Sequence, residues 1–124
     1  MKLFLSAAGL ICLVAISASG GPAPKTPKST PQLLEKGKAA YVANCDVCHG
    51  PNGDGNGVAG AAMNPKPRDF SGPFKNGKKP EQVFKTISEG LPGTAMAAFA
   101  HIPEEDRWGV AYHVLSLDKS AKKK

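Results

Sequence analysis

The chain has 124 residues, 41% of them hydrophobic but only 6% aromatic, and its 16 Lys and Arg against 10 Asp and Glu give a formal net charge of +6. That length has room for one small domain, and the basic excess is not gathered into the dense Arg/Lys stripe that a nucleic-acid partner calls for. Of the three cysteines, Cys12 lies in an apolar N-terminal run. Only one close pair then remains, which excludes a disulfide framework and a four-ligand zinc site built from two pairs.

The N-terminus reads Lys2, an apolar run from Leu3 to Ile16, then the small residues Ser17 to Gly21. This is the layout of a secretory signal peptide. The run falls short of the ~20 apolar residues that span a bilayer as a helix. Residues 1–20 are therefore expected to be cleaved, taking Cys12 with them and leaving a periplasmic or otherwise exported protein with no stable membrane insertion. Residues 21–30 are polar and proline-rich, and read as a flexible leader.

Residues 31–118 carry the domain. Thr30-Pro31 is a helix start, a capping side chain followed by a residue whose missing N–H is harmless in the first turn. Leu33, Gly37, Ala40, Tyr41 and Asn44 then recur at helical spacing. This helix runs into Cys45-Asp46-Val47-Cys48-His49, a C-x-x-C-H motif. Two thiols at that spacing can each add to a vinyl group of one porphyrin, with the next histidine held under the iron, so the motif predicts one covalently attached haem c. A thioredoxin-like redox pair would need a βαβ context, which this Gly- and Pro-rich, helix-patterned chain lacks. A buried haem would also supply apolar volume to a small core poor in aromatic residues.

The run from Gly50 to Gly57 has so many glycines that it reads as a loop. Asn52, Asp54, Asn56 and Gly57 match the first half of an EF-hand, but Met63 stands where the bidentate Glu should be. Pro65-Lys66-Pro67-Arg68-Asp69-Phe70 reads as extended chain. A carbonyl there is placed to accept from the ligand imidazole, and Arg68 is a candidate partner for a haem propionate. A short helix is expected from Pro80 to Glu89, with Val83, Phe84 and Ile87 on one side and Gly90 as its stop. Leu91-Pro92-Gly93-Thr94 is a type II turn signature. The last helix begins near Pro103, with Glu104, Glu105 and Asp106 in its first turn. Trp108, Ala111, Tyr112 and Leu115 form its expected apolar stripe, which leaves His113 at the surface or rim. Residues 119–124 form a basic tail.

A thioether on the other face of the iron gives a six-coordinate electron-transfer centre, whereas an open face permits ligand binding or peroxide chemistry. Met63 and Met96 are the candidates, with His101 and His113 behind them. Met63 follows His49 through a glycine loop with little chain to cross the haem edge. Met96 has a helix and a turn before it, and sits in a loop rather than on a helical stripe, which favours it as the distal ligand.

These residues carry a family resemblance. C-x-x-C-H-G, a G-D-G-x-G loop, P-x-P-R-D-F, G-x-P-G-T-x-M-x-x-F and E-E-D-R-W-x-x-x-x-Y, from about Leu33 to Leu117, resemble the small bacterial class I c-type cytochromes. The resemblance implies an all-α, cytochrome c-like domain of three to five short helices wrapped around one covalently bound haem. It implies Cys45 and Cys48 as thioether donors, His49 as proximal ligand and Met96 as distal ligand. It also implies a crossing of the first and last helices in which Gly37 and Tyr41 meet Tyr112. Ala97 and Pro103 stand where the family often has proline and serine, so the ligand loop is expected to be less stiff.

The leading expectation is a monomeric electron carrier with no catalytic residue. It would dock on acidic patches of redox partner proteins, steered by Lys36, Lys38, Lys66, Lys75, Lys78, Lys79 and Lys85. The alternatives are a haem c subunit of a larger dehydrogenase or oxidase complex, and a haem peroxidase or sensor with a labile Met96.

Overall fold

A computed structural model describes residues 25–74 and 78–120. The expected signal peptide, residues 21–24 of the expected leader, Lys75 and the tail lysines Lys122 to Lys124 lie outside the described residues. Within them the chain forms four helices, α1 (Pro31–Asn44), α2 (Asp46–His49), α3 (Pro80–Glu89) and α4 (Glu104–Ser116), with a 3₁₀ turn at Gly60–Ala62. No strand occurs among the described residues. The all-α expectation holds.

Local chemistry sets the helix ends. Thr30 Oγ1 accepts the Leu33 N–H at 3.1 Å, and Pro31 occupies the first helical position of α1. Gln82 Oε1 accepts the Lys79 N–H at 2.9 Å, satisfying a free donor at the start of α3. That helix stops at Gly90, where φ is +73°. The three carboxylates in the first turn of α4 face the positive end of its dipole.

α1 and α4 cross with their backbones in contact. A Cβ on Gly37 would sit 2.0 Å from the Gly109 carbonyl, and one on Gly109 would sit 2.6 Å from the Leu33 carbonyl oxygen. The crossing differs from the expected one in its partners. Gly109 rather than Tyr112 faces Gly37, and His113 rather than Tyr112 meets Tyr41, edge-on at 5.0 Å between ring centroids. The buried side of α4 is Trp108, Gly109, Val110, Ala111 and Val114, so the expected stripe is rotated and Tyr112 and Leu115 are only half-buried. Glycine at the crossing decides this, because bringing the backbones together turns the face that carries Gly109 inward.

Tyr112 instead donates its hydroxyl to the Pro27 carbonyl, and Thr26 donates to Glu81 at 2.6 Å. The described part of the leader, residues 25–29, is thus extended and tied to α3 and α4. Phe84 of α3 stacks on Trp108 of α4 at 3.9 Å, with the Arg107 guanidinium over the Phe84 ring. The core joins Tyr41, Phe74, Val83, Ile87, Val110, Ala111 and Val114.

His113 is half-buried at the edge of the α1/α4 seam, and burial, with Lys38 nearby, lowers its pKa from 6.5. A lowered native pKa means that the unfolded chain binds the proton more readily. Stability is therefore complete above about pH 6.5, the unfolded value, and falls as pH drops below it toward the native pKa. Thermal melts between pH 7.5 and 5 are expected to show this fall, and His113→Phe is expected to flatten it.

Candidate functional site

The end of α1 and the whole of α2 deliver the C-x-x-C-H motif. Cys45 caps α1, its N–H donating to the Tyr41 carbonyl at 2.7 Å, and the His49 N–H returns to the Cys45 carbonyl at 2.9 Å. One helical turn therefore sets both thiols and the imidazole. The glycine loop folds back on it. Ala59 N–H donates to Val47 O at 2.8 Å, Gly57 N–H to Cys48 O at 3.2 Å and Gly55 N–H to His49 O at 2.8 Å. Within that loop Asp54 accepts the Asn56 N–H, and Asn56 accepts the Lys66 ammonium at 2.7 Å. These side chains serve the loop itself.

A cavity of about 290 Å³ opens beside the motif. Its wall carries Cys45, Cys48 and His49, both Met63 and Met96, and the apolar side chains Tyr41, Phe70, Phe74, Val83, Ile87, Leu91, Phe99, Val110 and Val114. Lys66, Arg68 and Lys78 are the charged residues on it, with no carboxylate among the lining residues. A larger groove of about 620 Å³, open to solvent, lies along α1 and holds His101 with Lys36 and Asp106. Neither His101 nor His113 lines the cavity.

The electrostatics suit an attached cofactor better than reactive thiols. Both cysteines are free and half-buried. Burial, with the charges of Asp46 and Cys48 adding to it, pushes the Cys45 thiol up to about 11, so it is not a ready thiolate. Burial lowers the His49 pKa and so keeps the ring neutral and able to ligate a metal, against a hydrogen bond with the Arg68 backbone that raises it. Arg68 belongs to the extended stretch expected to approach this imidazole. His49 Nδ1 is buried with no well-aligned hydrogen-bond partner. A neutral, half-buried imidazole and two free thiols within one turn of it, all lining one apolar cavity, fit a haem held through Cys45, Cys48 and His49.

Phe70 was not given a role by the motif that contains it. Its ring stacks on His49 at 4.6 Å and in turn on Phe74 at 6.0 Å, so it covers one face of the imidazole. An aromatic residue two positions after an arginine in a proline-rich stretch was the available signal. Arg68 lies over Phe74 at 4.9 Å, on the wall of the same cavity.

Met96 sits in a tied loop. Thr94 N–H closes the turn onto Leu91 O, Met96 N–H donates to Thr94 Oγ1 at 3.2 Å, and Leu91 N–H donates to Met96 O at 3.1 Å. Gly93 has φ +78°, as the type II signature requires. The sequence between Leu91 and Ala100 has no charged residue, and Ala95, Ala97, Ala98 and Ala100 are exposed. These bonds hold the loop without the proline that Ala97 replaces.

Gly90 fixes where this loop passes α3. A Cβ there would lie 2.8 Å from Met96 O, at a φ that only glycine adopts readily. Gly90→Ala is expected to cost about 2 kcal/mol and to displace Met96, read as a lower melting temperature together with a weakened sulfur-to-iron absorption band.

The family model described as cytochrome c oxidase, cbb3-type, subunit III matches residues 32–114. The fold is similar to a chain of the reducing HAO-like protein complex of Kuenenia stuttgartiensis, with 30% sequence identity and a TM-score of 0.68. That likeness covers 77% of this chain and 48% of the other, so the chain spans about half the length of the structure it matches. No curated protein matches it.

Proposed function

The chain belongs to the c-type cytochromes, in the family described as cytochrome c oxidase, cbb3-type, subunit III, and from that premise we propose that it is an exported, monomeric carrier of single electrons. Its cofactor is one covalently bound haem c, which supplies a ferric/ferrous couple when bound. Cys45 and Cys48 anchor the group, His49 is the proximal ligand and Met96 the distal one. Phe70 covers one face of the His49 ring, and Arg68, with Lys78, neutralises propionate charge at the rim. The apolar wall from Val83, Ile87, Val110 and Val114 keeps water away and favours the less charged, reduced state.

One observation carries this reading: a single, largely apolar cavity joins Cys45, Cys48, His49 and Met96. Met63 shares the cavity, but Met96 is chosen because its loop is tied from both sides by Leu91 and Thr94. No residue has a substrate-directed role. The expected spectrum is that of a low-spin ferric haem with a weak near-infrared sulfur-to-iron band. A high-spin ferric spectrum that takes up cyanide without unfolding would favour the peroxidase or sensor reading.

Docking follows the charge. Lys66, Arg68 and Lys78 stand on the cavity wall without a carboxylate among them, which suits a redox partner with an acidic surface. Lys36 and Lys85 are less available for that role, being paired with Glu105 at 2.7 Å and Glu89 at 4.0 Å. A place as subunit of a larger assembly is the second reading, favoured by the complex from which the matched chain comes. Gel filtration of the native protein separates the two, a stable monomer supporting the free carrier.

A further inference from the structure

Tyr41 carries a hydroxyl that neither haem attachment nor the helix crossing requires. The residue is 1% exposed, one turn before Cys45, and its ring fills apolar space that phenylalanine would fill as well. Its hydroxyl donates to the Gly50 carbonyl at 2.7 Å. The same carbonyl accepts the Gly53 N–H at 3.0 Å, so both of its lone pairs are engaged.

Gly50 is bonded directly to His49 and turns the chain there with φ +78°. The neighbouring bonds hold His49 through its main chain, from its N–H to Cys45 and from its carbonyl to Gly55. The Tyr41 hydroxyl is the side-chain brace on this turn, reaching it from within α1. The Tyr41 ring is itself held edge-on by His113 of α4. Burial pushes the phenol pKa well above its ordinary value, so the group remains a donor at any working pH.

We propose that Tyr41 is a positioning residue for the iron ligand: its hydroxyl fixes the turn behind His49, and through it the orientation of the imidazole under the haem. This rests on the reading of His49 as the proximal ligand. The positive end of the O–H dipole points into the proximal loop, so it also favours the reduced state of the iron.

The test compares holoprotein of Tyr41→Phe with that of Tyr112→Phe, which loses a hydroxyl bonded to Pro27 in the leader. Tyr41→Phe is expected to lower the midpoint potential, shift the paramagnetic NMR resonances of the His49 ring and speed amide exchange at Gly53 and Gly55 about fivefold, the loss of one ordinary hydrogen bond. Tyr112→Phe is expected to change melting temperature alone. If Tyr41→Phe also changed only the melting temperature, with potential and His49 resonances as in the wild type, the proposal would be overturned. Should Tyr41→Phe not accumulate, the Tyr41 hydroxyl proton of the wild type decides: slow exchange with solvent together with a nuclear Overhauser contact to Gly50 supports the brace, and a freely exchanging proton overturns it. A wild type without covalent haem, seen in a pyridine haemochrome assay before any variant is made, would overturn the function reading and this proposal together.

Discussion

Gly109→Ala is expected to prevent the close crossing of α1 and α4 and to leave little or no holoprotein. Its Cβ would fall 2.6 Å from Leu33 O and 2.7 Å from Gly37 N, both backbone atoms that cannot rotate aside. Relief requires the helices to separate, which strips contacts from Val110, Ala111 and Tyr41 along the same seam. Overpacking of this kind costs about 3 kcal/mol or more, against a total stability on the order of 5–15 kcal/mol for a domain of this size. Gly37→Ala is expected to behave alike, since its Cβ meets the Gly109 carbonyl. Gly72→Ala is the control, because a Cβ there meets nothing within 4 Å. The measurement is holoprotein yield and thermal midpoint, and a Gly109→Ala protein as stable as the Gly72→Ala control would refute the crossing.

Met96→Ala is expected to keep the haem attached and to abolish the sulfur-to-iron band completely. The attachment residues are on α1 and α2, so loss of the thioether leaves them untouched. The ferric spectrum should become high-spin, and carbon monoxide and cyanide should bind without unfolding. Met63→Ala is expected to preserve the band, since Met63 only lines the cavity in the proposed ligation. The reverse pattern, a band kept in Met96→Ala and lost in Met63→Ala, would transfer the ligand role to Met63. Both variants are read by one pair of absorption spectra.

Most of the framework was legible because strong local rules coincide with it. Thr30-Pro31 starts α1, Pro80 and Gly90 bracket α3, and the acidic triplet opens α4, each where capping and dipole chemistry put it. The pentapeptide with its cysteines and histidine was legible because the chemistry demands those residues at that spacing. The rotation of α4 was not. Trp108 to Leu115 is apolar on nearly every side, so periodicity cannot choose a face, and the unexpected glycine at position 109 was the usable clue. A glycine inside a helix costs about 1 kcal/mol relative to alanine, which suggests that a close approach requires it. The contact of His113 with Tyr41 was hidden for the same reason, since it follows only once the helix is turned. The hydroxyl contact of Tyr41 depends on a turn nine residues away, and no local pattern encodes it.

The uncharged skin of the Met96 loop bears on how close two redox centres can come. Electron tunnelling weakens exponentially with separation, so each ångström of side chain between them is costly. Over Ala95, Ala97, Ala98 and Ala100 the exposed layer is a single methyl group deep. A surface pressed against it displaces no ion from its hydration shell, a step that is expensive wherever a charge must be buried. For the proposed carrier, long-range attraction and final contact would then fall to different residues: added salt is expected to slow the arrival of a partner while leaving transfer within the assembled pair unchanged.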